Sequence, residues 1–347
     1  MKPKSVLIVL LGALGDVVRG LSVADAIKSY SSETRIDWLI EPKSKSIVEL
    51  SPSVDNIIVY NRSKPLRGLY QLRNQLNKNI IEYGPYDVCL DMQRHFKSGF
   101  FSWLCGSKTR IGFHRANAKE FNYLFQTQTI PEVSELDNKF YHYQQFAKLT
   151  GCPAPENTKT KLEVNCLNPL TQFGYTKGQY TFIVLGSSWG SKNWFFDGYD
   201  AVVKNLLSQN ESVVLVGTSD QKLLSDQILT YNSNYYESKL RSMVGKTNLN
   251  ELCAIISQSR VGLGPDSGPG HISAAFGVPY VSLFGPTSPE RVAPVGMNDY
   301  VVQSGIGCQG CYRRKCPGLD TLCMRLIKVS EVLKSLEVAS GGAIRYR

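Results

Sequence analysis

The sequence predicts an α/β protein built as two domains in tandem, each with a mostly parallel β-sheet. Short apolar runs alternate with segments of helical period along the chain, as is typical of parallel sheets covered by helices. The 347 residues exceed the size at which a single core keeps growing. Residues 151–170 are rich in Pro, Asn and Thr and lack helical period, so we place the linker there. The expected domains are residues 1–160 and 161–347.

The first domain begins with an unbroken apolar run, SVLIVLL (residues 5–11), which predicts a buried strand. GALGDVVRGLSVADAIKSY (12–30) predicts a tight turn followed by an amphipathic helix. The alternation continues with strands at 35–41, 56–61 and 86–92 and with helices near 45–51 and across 69–80.

After the linker the alternation starts again. Ligands of parallel sheets bind beyond the carboxyl ends of the strands, so the polar loops at those ends are the first candidates for a functional site. We predict strands with such loops at 179–188, 212–220, 260–268 and 280–287, and helices at 197–209, 250–259 and 271–277.

The loop GPDSGPG (264–270) joins a strand to a helix start and suits an anion. Free backbone N–H groups and the positive end of the helix dipole favour a phosphate or pyrophosphate at such a place. Gly268 and Gly270 permit close backbone approach, and Ser267 offers a hydroxyl group. Ordinary turn chemistry explains the same residues, and the loop by itself leaves both interpretations open.

The first loop, GALGDVVRG, excludes two common nucleotide sites. It lacks the third glycine of the dinucleotide fingerprint and the lysine of a P-loop. Its notable residue is Asp16, a carboxylate near a helix start. Asp16 could take a proton from a substrate hydroxyl or could simply cap the helix.

The net charge is +10, and residues 60–120 carry 11 basic side chains against 4 acidic ones. Such an excess indicates a polyanionic partner: nucleic acid, an anionic membrane surface or a phosphorylated glycolipid. A merely solvated basic surface is the other explanation. The aromatic interleaving and folds of nucleic-acid-binding modules are missing from the sequence, so we expect no nucleic acid partner.

The composition is that of a folded globular protein, with 42% apolar and 20% charged residues. No apolar run reaches the roughly 18 to 20 residues needed to span a bilayer. The first strand runs into GDVVRG without the small-residue cleavage site of a signal peptide. We therefore expect a protein that is made and kept in the cytoplasm.

Four of the nine cysteines form the pattern C-x2-C-x4-C-x6-C in the segment 308–323. In a cytoplasmic chain this clustering favours a structural metal site over disulfides, with tetrahedral zinc as one candidate. Buried, inert thiols are the expected state of most of the five scattered cysteines. The residues of the cluster are Cys308, Cys311, Cys316 and Cys323.

Seven motifs in this order resemble the bacterial heptosyltransferases of glycosyltransferase family 9. They span nearly the whole chain, and an ordered set is far more specific than any single motif. The motifs are GALGDVV, DMQRHFKSGFFSWLCGSKTRIGF (91–113), SSWGSKNWFFDGYDAVVKNL (187–206), VGKTNLNEL, GPDSGPGHISAAFGVP, LFGPTSPERVAPVG and CQGCYRRKCPGLDTLCMRLIKVSEVL.

The resemblance implies the GT-B architecture, in which two Rossmann-like domains face a cleft, the first binding the acceptor and the second the nucleotide sugar. It implies transfer of heptose from ADP-heptose to the inner core of lipopolysaccharide, with inversion of the anomeric configuration and no metal required for catalysis. It also implies peripheral association with the cytoplasmic face of the inner membrane. Since some relatives that glycosylate proteins carry an iron site, iron is a second candidate for the cysteine cluster.

The family roles map onto particular residues of this sequence. Asp16 matches the general base, and Lys192 matches the lysine that holds the donor phosphates and offsets charge on the leaving ADP. Asp266 matches the acid that contacts the donor sugar. Ser187, Ser188, Thr247, Ser267, Gly268 and His271 match the other donor-binding residues, and Gly15, Arg94 and Lys97 are the candidates for acceptor binding.

Two residues depart from the family pattern. Gly20 stands where relatives usually have proline, and Arg19 replaces the more frequent His or Ser. Both flank the acceptor side, so they bear on the acceptor more than on the chemistry. The alternative function is a family 9 enzyme that uses another nucleotide sugar or that glycosylates a protein or a capsular glycan.

Overall fold

The computed structural model describes residues 2–153, 155, 159–235, 238–318 and 320–345. The chain divides into two compact units, Met1–Glu163 and Val164–Arg347, and the division falls inside the segment expected to be the linker. Each unit contains one six-stranded sheet whose neighbouring strands are all parallel. The α/β fold class predicted from the sequence is confirmed.

The sheet of the first unit has the strand order β3-β2-β1-β4-β5-β6. Its strands are β1 (Ser5–Val9), β2 (Arg35–Ile40), β3 (Asn56–Val59), β4 (Val88–Asp91), β5 (Thr109–Gly112) and β6 (Gln128–Thr129). Its helices are α1 (Leu14–Tyr30), α2 (Lys45–Val48), α3 (Pro65–Tyr83), α4 (Phe96–Leu104) and α5 (Lys139–Leu149).

Strand β1 lies at the centre of this sheet, which explains its unbroken apolar sequence. Every residue of β1 is buried, as expected for a parallel strand covered on both faces. Helix α1 packs closely on the sheet at Gly20, where an added Cβ would come within 2.5 Å of the Leu10 side chain. The glycine at this position therefore serves close packing of helix on sheet.

The chain changes direction in the sheet between β1 and β4. From β1 it proceeds outward through β2 and β3, and it then returns to build β4, β5 and β6 on the other side. Segments that follow the two adjacent strands diverge at such a switch point, which is the usual ligand site of an open α/β sheet. Asp16 follows β1, and Arg94 and Lys97 follow β4.

The second unit repeats this plan with the strand order β12-β11-β10-β7-β8-β9. Its strands are β7 (Tyr180–Val184), β8 (Ser212–Val216), β9 (Leu240–Ser242), β10 (Val261–Pro265), β11 (Tyr280–Phe284) and β12 (Val301–Gln303). Its helices are α6 (Phe196–Ser208), α7 (Lys222–Tyr231), α8 (Leu249–Gln258), α9 (Gly268–Ala275), α10 (Pro289–Val292), α11 (Leu322–Arg325) and α12 (Val329–Ala339).

The switch point of the second sheet lies between β7 and β10. The loop after β7 carries Lys192, and the loop after β10 carries Asp266. Two aromatic rings, Phe182 and Tyr280, pack against each other below this point, with centroids 5.7 Å apart. Gly262 leaves room for both rings, since an added Cβ would lie 2.2 Å from Phe182 and 2.6 Å from Tyr280.

Several element boundaries differ from the sequence expectation for local reasons. Helix α3 begins at Pro65, four residues early, because proline is well suited to the first helical position. It ends at Tyr83 and is followed by the C-cap residue Gly84, whose φ of 82° is strained for other residues. Helix α9 begins at Gly268 with Pro269 in its first turn, three residues before the expected start. No helix within the described ranges has both the length and the apolar character needed to cross a membrane.

Candidate active site

Asp16 lies in the first turn of α1 and contacts two cations. Its Oδ1 accepts a hydrogen bond of 2.5 Å from the Arg19 guanidinium, one helical turn further along. The Lys139 ammonium at the start of α5 donates to Oδ1 at 3.1 Å and to Oδ2 at 3.4 Å. The carboxylate remains 20% exposed, so a solvent-borne group can still reach it.

These contacts argue against a capping role for Asp16. Ala13 occupies the N-cap position of α1, and Asp16 is the third residue of the helix. A carboxylate in the first turn still interacts favourably with the helix dipole. Its direct partners here, however, are the two cationic side chains.

The two cations dominate the protonation of Asp16. Burial by itself raises the pKa of this carboxyl, but the charges of Lys139 and Arg19 lower it by more, so the pKa lies well below its usual range. Asp16 is therefore ionised at any physiological pH. It is a weak base as long as both cations hold it, because basicity falls with pKa.

Helix α5 supplies most of the surroundings of this carboxylate. Besides Lys139 it carries Tyr143, a buried residue whose pKa is raised by burial and by the negative charge of Asp16, so its hydroxyl stays protonated. Neither Lys139 nor Tyr143 was predicted as a site residue from the sequence. No short motif could have done so, since Lys139 is 123 positions from Asp16 and only the tertiary fold joins them.

The predicted acceptor residues lie at the switch point of the first sheet, and both cations among them already have partners. Arg94 donates to Glu135 at 2.5 Å, and its guanidinium lies 4.2 Å from the centroid of the Phe113 ring. Lys97 donates to Glu41 at 2.8 Å. Gly15 directly precedes Asp16 in α1. An anionic acceptor would have to compete with these carboxylates.

In the second unit the structure joins Lys192 to Asp266 across the switch point. The Lys192 ammonium donates to Asp266 Oδ2 at 2.6 Å and to the Asp266 carbonyl at 3.4 Å. The two side chains are only 13% and 7% exposed. The hydroxyl of Thr287, in the loop after β11, also donates to Asp266 Oδ2, at 2.8 Å. Thr287 belongs to the motif LFGPTSPERVAPVG, but no role was predicted for it from the sequence.

The loop after β7 is held in shape by its own hydrogen bonds. Ser187 donates from its hydroxyl to the Trp189 carbonyl at 2.9 Å, and its backbone N–H donates to Asn193 Oδ1 at 2.8 Å. The Lys192 ammonium lies 4.5 Å from the centroid of the Trp189 ring. Ser188 is exposed in the same loop. Their roles toward a donor remain predictions.

Helix α9 presents its first turn beside Asp266. Ser267 is the N-cap residue, but its hydroxyl donates to the Pro265 carbonyl and does not cap the helix. Gly268 is the first helical residue, and His271 in the same turn is buried. A turn without a side-chain cap suits an anionic ligand. Thr247 is half-buried in a different loop, the one between β9 and α8.

The family of the chain follows from comparison with known proteins. Residues 73–321, which are more than half of the chain, match the protein family described as glycosyltransferase family 9 (heptosyltransferase). The chain belongs to glycosyltransferase family 9. This family 9 chain is therefore a glycosyltransferase, as the resemblance predicted.

Similar proteins cover nearly the full length of the family 9 chain. Lipopolysaccharide core heptosyltransferase OpsX of Haemophilus influenzae is 28% identical over 306 residues, which are 86% of this chain and 84% of that protein. Lipopolysaccharide heptosyltransferase 1 of Pseudomonas aeruginosa is 23% identical over 330 residues, which are 90% and 87% of the two chains. The structure of Escherichia coli ADP-heptose lipopolysaccharide heptosyltransferase II has the same fold, with a TM-score of 0.76, 19% identity and coverage of 97% and 98%.

The four clustered cysteines of the family 9 chain surround one cavity of about 450 Å³. Cys308 and Cys311 are exposed on a loop, whereas Cys323 is buried in α11. Burial, and then the three other thiols, raise the pKa of Cys323, which keeps its sulfur protonated. Within the described ranges, no three or more His, Cys, Asp or Glu side chains are arranged to hold a metal ion. The zinc or iron site expected on these cysteines thus finds no support in the arrangement of their thiols around the cavity.

Proposed function

We propose that the protein is an inverting heptosyltransferase that moves heptose from ADP-heptose to the inner core of lipopolysaccharide. The match to family 9 carries this proposal, together with relatives whose names describe lipopolysaccharide heptosyltransferases. The joined Lys192 and Asp266 at one switch point and the ion-paired Asp16 at the other support it chemically. We propose that the first unit binds the acceptor and the second unit binds the donor.

The donor pyrophosphate would bind at Lys192 and the first turn of α9. The ammonium and the positive end of the α9 helix dipole meet the negative charge of the phosphates and of the leaving ADP, so no metal is required. Asp266 orients Lys192 in the free protein and would accept hydrogen bonds from hydroxyl groups of the donor sugar. We propose the same donor-binding role for Ser187, Ser188, Thr247, Ser267, Gly268 and His271.

In the proposed reaction Asp16 is the general base. The acceptor hydroxyl oxygen attacks the anomeric carbon, the bond from this carbon to the phosphate oxygen breaks, and its electron pair leaves with ADP. The hydroxyl proton passes to Asp16. A single displacement of this kind inverts the anomeric configuration.

The low pKa of Asp16 connects acceptor binding to this step. A lipid-linked acceptor carries phosphates and acidic sugars, which would attract Lys139 and Arg19. As these cations turn toward the acceptor they hold Asp16 less strongly, and its basicity increases at the moment when a proton must be accepted. Arg94, Lys97 and Gly15 complete the proposed acceptor side.

We also propose that the protein works at the cytoplasmic face of the inner membrane, associated peripherally through α4 and the turn near residue 122. Four large apolar side chains are exposed there: Phe96, Trp103, Phe121 and Leu124, at 50%, 54%, 66% and 69%. Aromatic side chains accompanied by basic ones are typical of surfaces that lie in a lipid headgroup region. The nearby basic residues are Lys108, Arg115 and Lys119.

Product analysis tests the proposed function. ADP-heptose and several UDP- and GDP-sugars are offered with a heptose-deficient lipopolysaccharide core, and products are identified by mass spectrometry. We expect a mass gain of one heptose from ADP-heptose only. Transfer from another donor, or donor hydrolysis without a product on this acceptor, would favour the alternative of a different nucleotide sugar, a protein acceptor or a capsular glycan.

A matched pair of lysine variants tests the donor side. Lys192→Met should weaken ADP binding by about tenfold or more, because a charge-assisted contact to phosphate is lost. Lys204→Met is the control, since Lys204 is also paired with an aspartate, Asp200, at 2.6 Å in the same unit. Equal ADP affinity of the two variants would contradict the assignment of Lys192.

Flotation with liposomes tests the membrane surface. The double variant Trp103→Ser, Phe121→Ser should lose binding to vesicles that contain anionic lipid. Leu223→Ser, which removes an 81% exposed leucine from the second unit, is the control. If the double variant floats as the parent does, this surface does not bind lipid.

A further inference from the structure

The cysteine-rich segment, residues 308–323, is fastened to two loops of the proposed donor side. The Gly310 N–H donates to the Gly285 carbonyl at 2.9 Å, and the Tyr312 N–H donates to the Pro286 carbonyl at 2.6 Å. On the other side the Ser191 hydroxyl donates to the Arg313 carbonyl at 2.8 Å. Residues 310–313 are thus held between the loop that carries Lys192 and the loop that carries Thr287.

The next residue, Arg314, lies near the Trp189 ring, which Lys192 also contacts. The Arg314 guanidinium lies 5.2 Å from the centroid of the Trp189 ring, and the Lys192 ammonium lies 4.5 Å from the same centroid. These two distances limit the separation of the two cationic groups to about 10 Å or less. The two positive charges therefore act on the same small region.

The charges of the two cations are compensated differently. Lys192 is paired with Asp266 at 2.6 Å, which offsets most of its charge in the free protein. Arg314 is exposed, and within the described part of the chain no carboxylate lies within 4.0 Å of its guanidinium. A pyrophosphate carries more negative charge than the paired Lys192 can balance. Arginine is suited to balance the remaining negative charge, because its planar guanidinium binds phosphate oxygens in a bidentate manner.

We propose that Arg314 is a donor-binding residue that contacts the diphosphate of the nucleotide sugar together with Lys192. This inference rests on the proposed function, since it takes the ligand of the second unit to be a nucleoside diphosphate sugar. Trp189 then serves as a platform that orients both cations by cation–π contacts. The cysteine-rich segment contributes a charged side chain to donor binding in addition to supporting the loops.

Calorimetric titration of the full chain with ADP, AMP and adenosine tests the proposal. Arg314→Met should weaken ADP binding by about tenfold, the size expected for one charge-assisted hydrogen-bonding group, and should leave adenosine affinity unchanged. Arg314→Lys should recover part of the ADP affinity. Lys315→Met removes an equal charge from the neighbouring exposed residue and should change ADP affinity less than twofold.

The outcomes separate this proposal from the proposed function. If the parent protein binds ADP and Arg314→Met binds it equally well, the role of Arg314 is refuted and the donor site stands. The role is also refuted if Lys315→Met loses as much ADP affinity, or if Arg314→Met loses adenosine affinity to the same extent. If the parent binds none of ADP, UDP and GDP, the nucleotide-sugar function fails and this inference fails with it.

Discussion

Replacing Asp16 by asparagine removes the proposed base while keeping the size of the side chain. A general base contributes about 10²- to 10⁴-fold to rate, so we expect kcat for transfer to fall by about this factor. The Lys192–Asp266 pair lies in the other unit, which predicts an unchanged ADP affinity. The decisive measurement is kcat in a transfer assay beside calorimetric titration with ADP.

The same substitution has a structural cost that the assay must separate from catalysis. Arg19 is only 6% exposed and would lose its carboxylate, as would Lys139, so the free energy of unfolding should fall by about 1 to 3 kcal/mol. Urea unfolding at neutral pH measures this loss, and kinetics are then recorded where the variant is fully folded. Turnover within a few-fold of the parent under those conditions would refute Asp16 as the base.

The remaining predictions concern stability. Lys139→Met should lower the free energy of unfolding by about 1 kcal/mol at pH 7, since the ion pair is partly exposed. The cations hold the pKa of Asp16 well below its unfolded value, and the contribution of the ion pair is lost only as pH falls through this low folded pKa; the gap to the parent should therefore be as large at pH 4 as at pH 7. Gly20→Ala should lower the free energy of unfolding by about 1 kcal/mol. Crowding of the Leu10 side chain destabilises the fold by about 1 to 3 kcal/mol, and the higher helix propensity of alanine offsets about 1 kcal/mol of this. Burial raises the pKa of Asp25 to about 6, above its unfolded value. The free energy of unfolding of the parent should therefore fall by up to about 3 kcal/mol relative to that of Asp25→Asn as pH rises from 4 to 8.

Urea unfolding curves at several pH values check all three of these variants. A gap between Lys139→Met and the parent that closes between pH 7 and pH 4 would contradict the ion-pair explanation. If Gly20→Ala proved more stable than the parent, the core near Leu10 would have to yield easily, against the close packing described above. A pH-independent difference for Asp25→Asn would mean that Asp25 titrates normally in the folded state.

Much of the fold was predictable because the signals are local. The buried run at β1, the helical period of α1 and the glycine- and proline-rich turn before α9 each follow from residues close together in the chain. Alternation of such elements indicates a parallel sheet, and the structure confirms this class. Short elements such as β6, α10 and α11 were not predicted, because two to four residues carry too little periodicity to be recognised. The longer helices α5, α7 and α12 were not predicted either.

The site was predictable in its residues but not in its contacts. Asp16, Lys192 and Asp266 lie in loops that follow strands, where motif chemistry is visible in the sequence. The residues that contact Asp16 were not visible in the sequence. Lys139 and Tyr143 belong to α5, a helix in which no motif marked either residue. The spacing of the four cysteines predicted a metal site, and the structure instead distributes the thiols around a cavity.

The sequence by itself determined the alternation of strands and helices, the two sheets and the candidate residues of each strand-end loop, because these depend on periodicity and on short-range chemistry. Only the tertiary structure decided that two cations depress the pKa of Asp16, that Lys192 is already paired with Asp266, and that Arg314 shares an indole ring with Lys192. Charge interactions depend on distances of a few ångströms between residues far apart in the chain. Such distances exist only once strands from different parts of the sequence lie side by side.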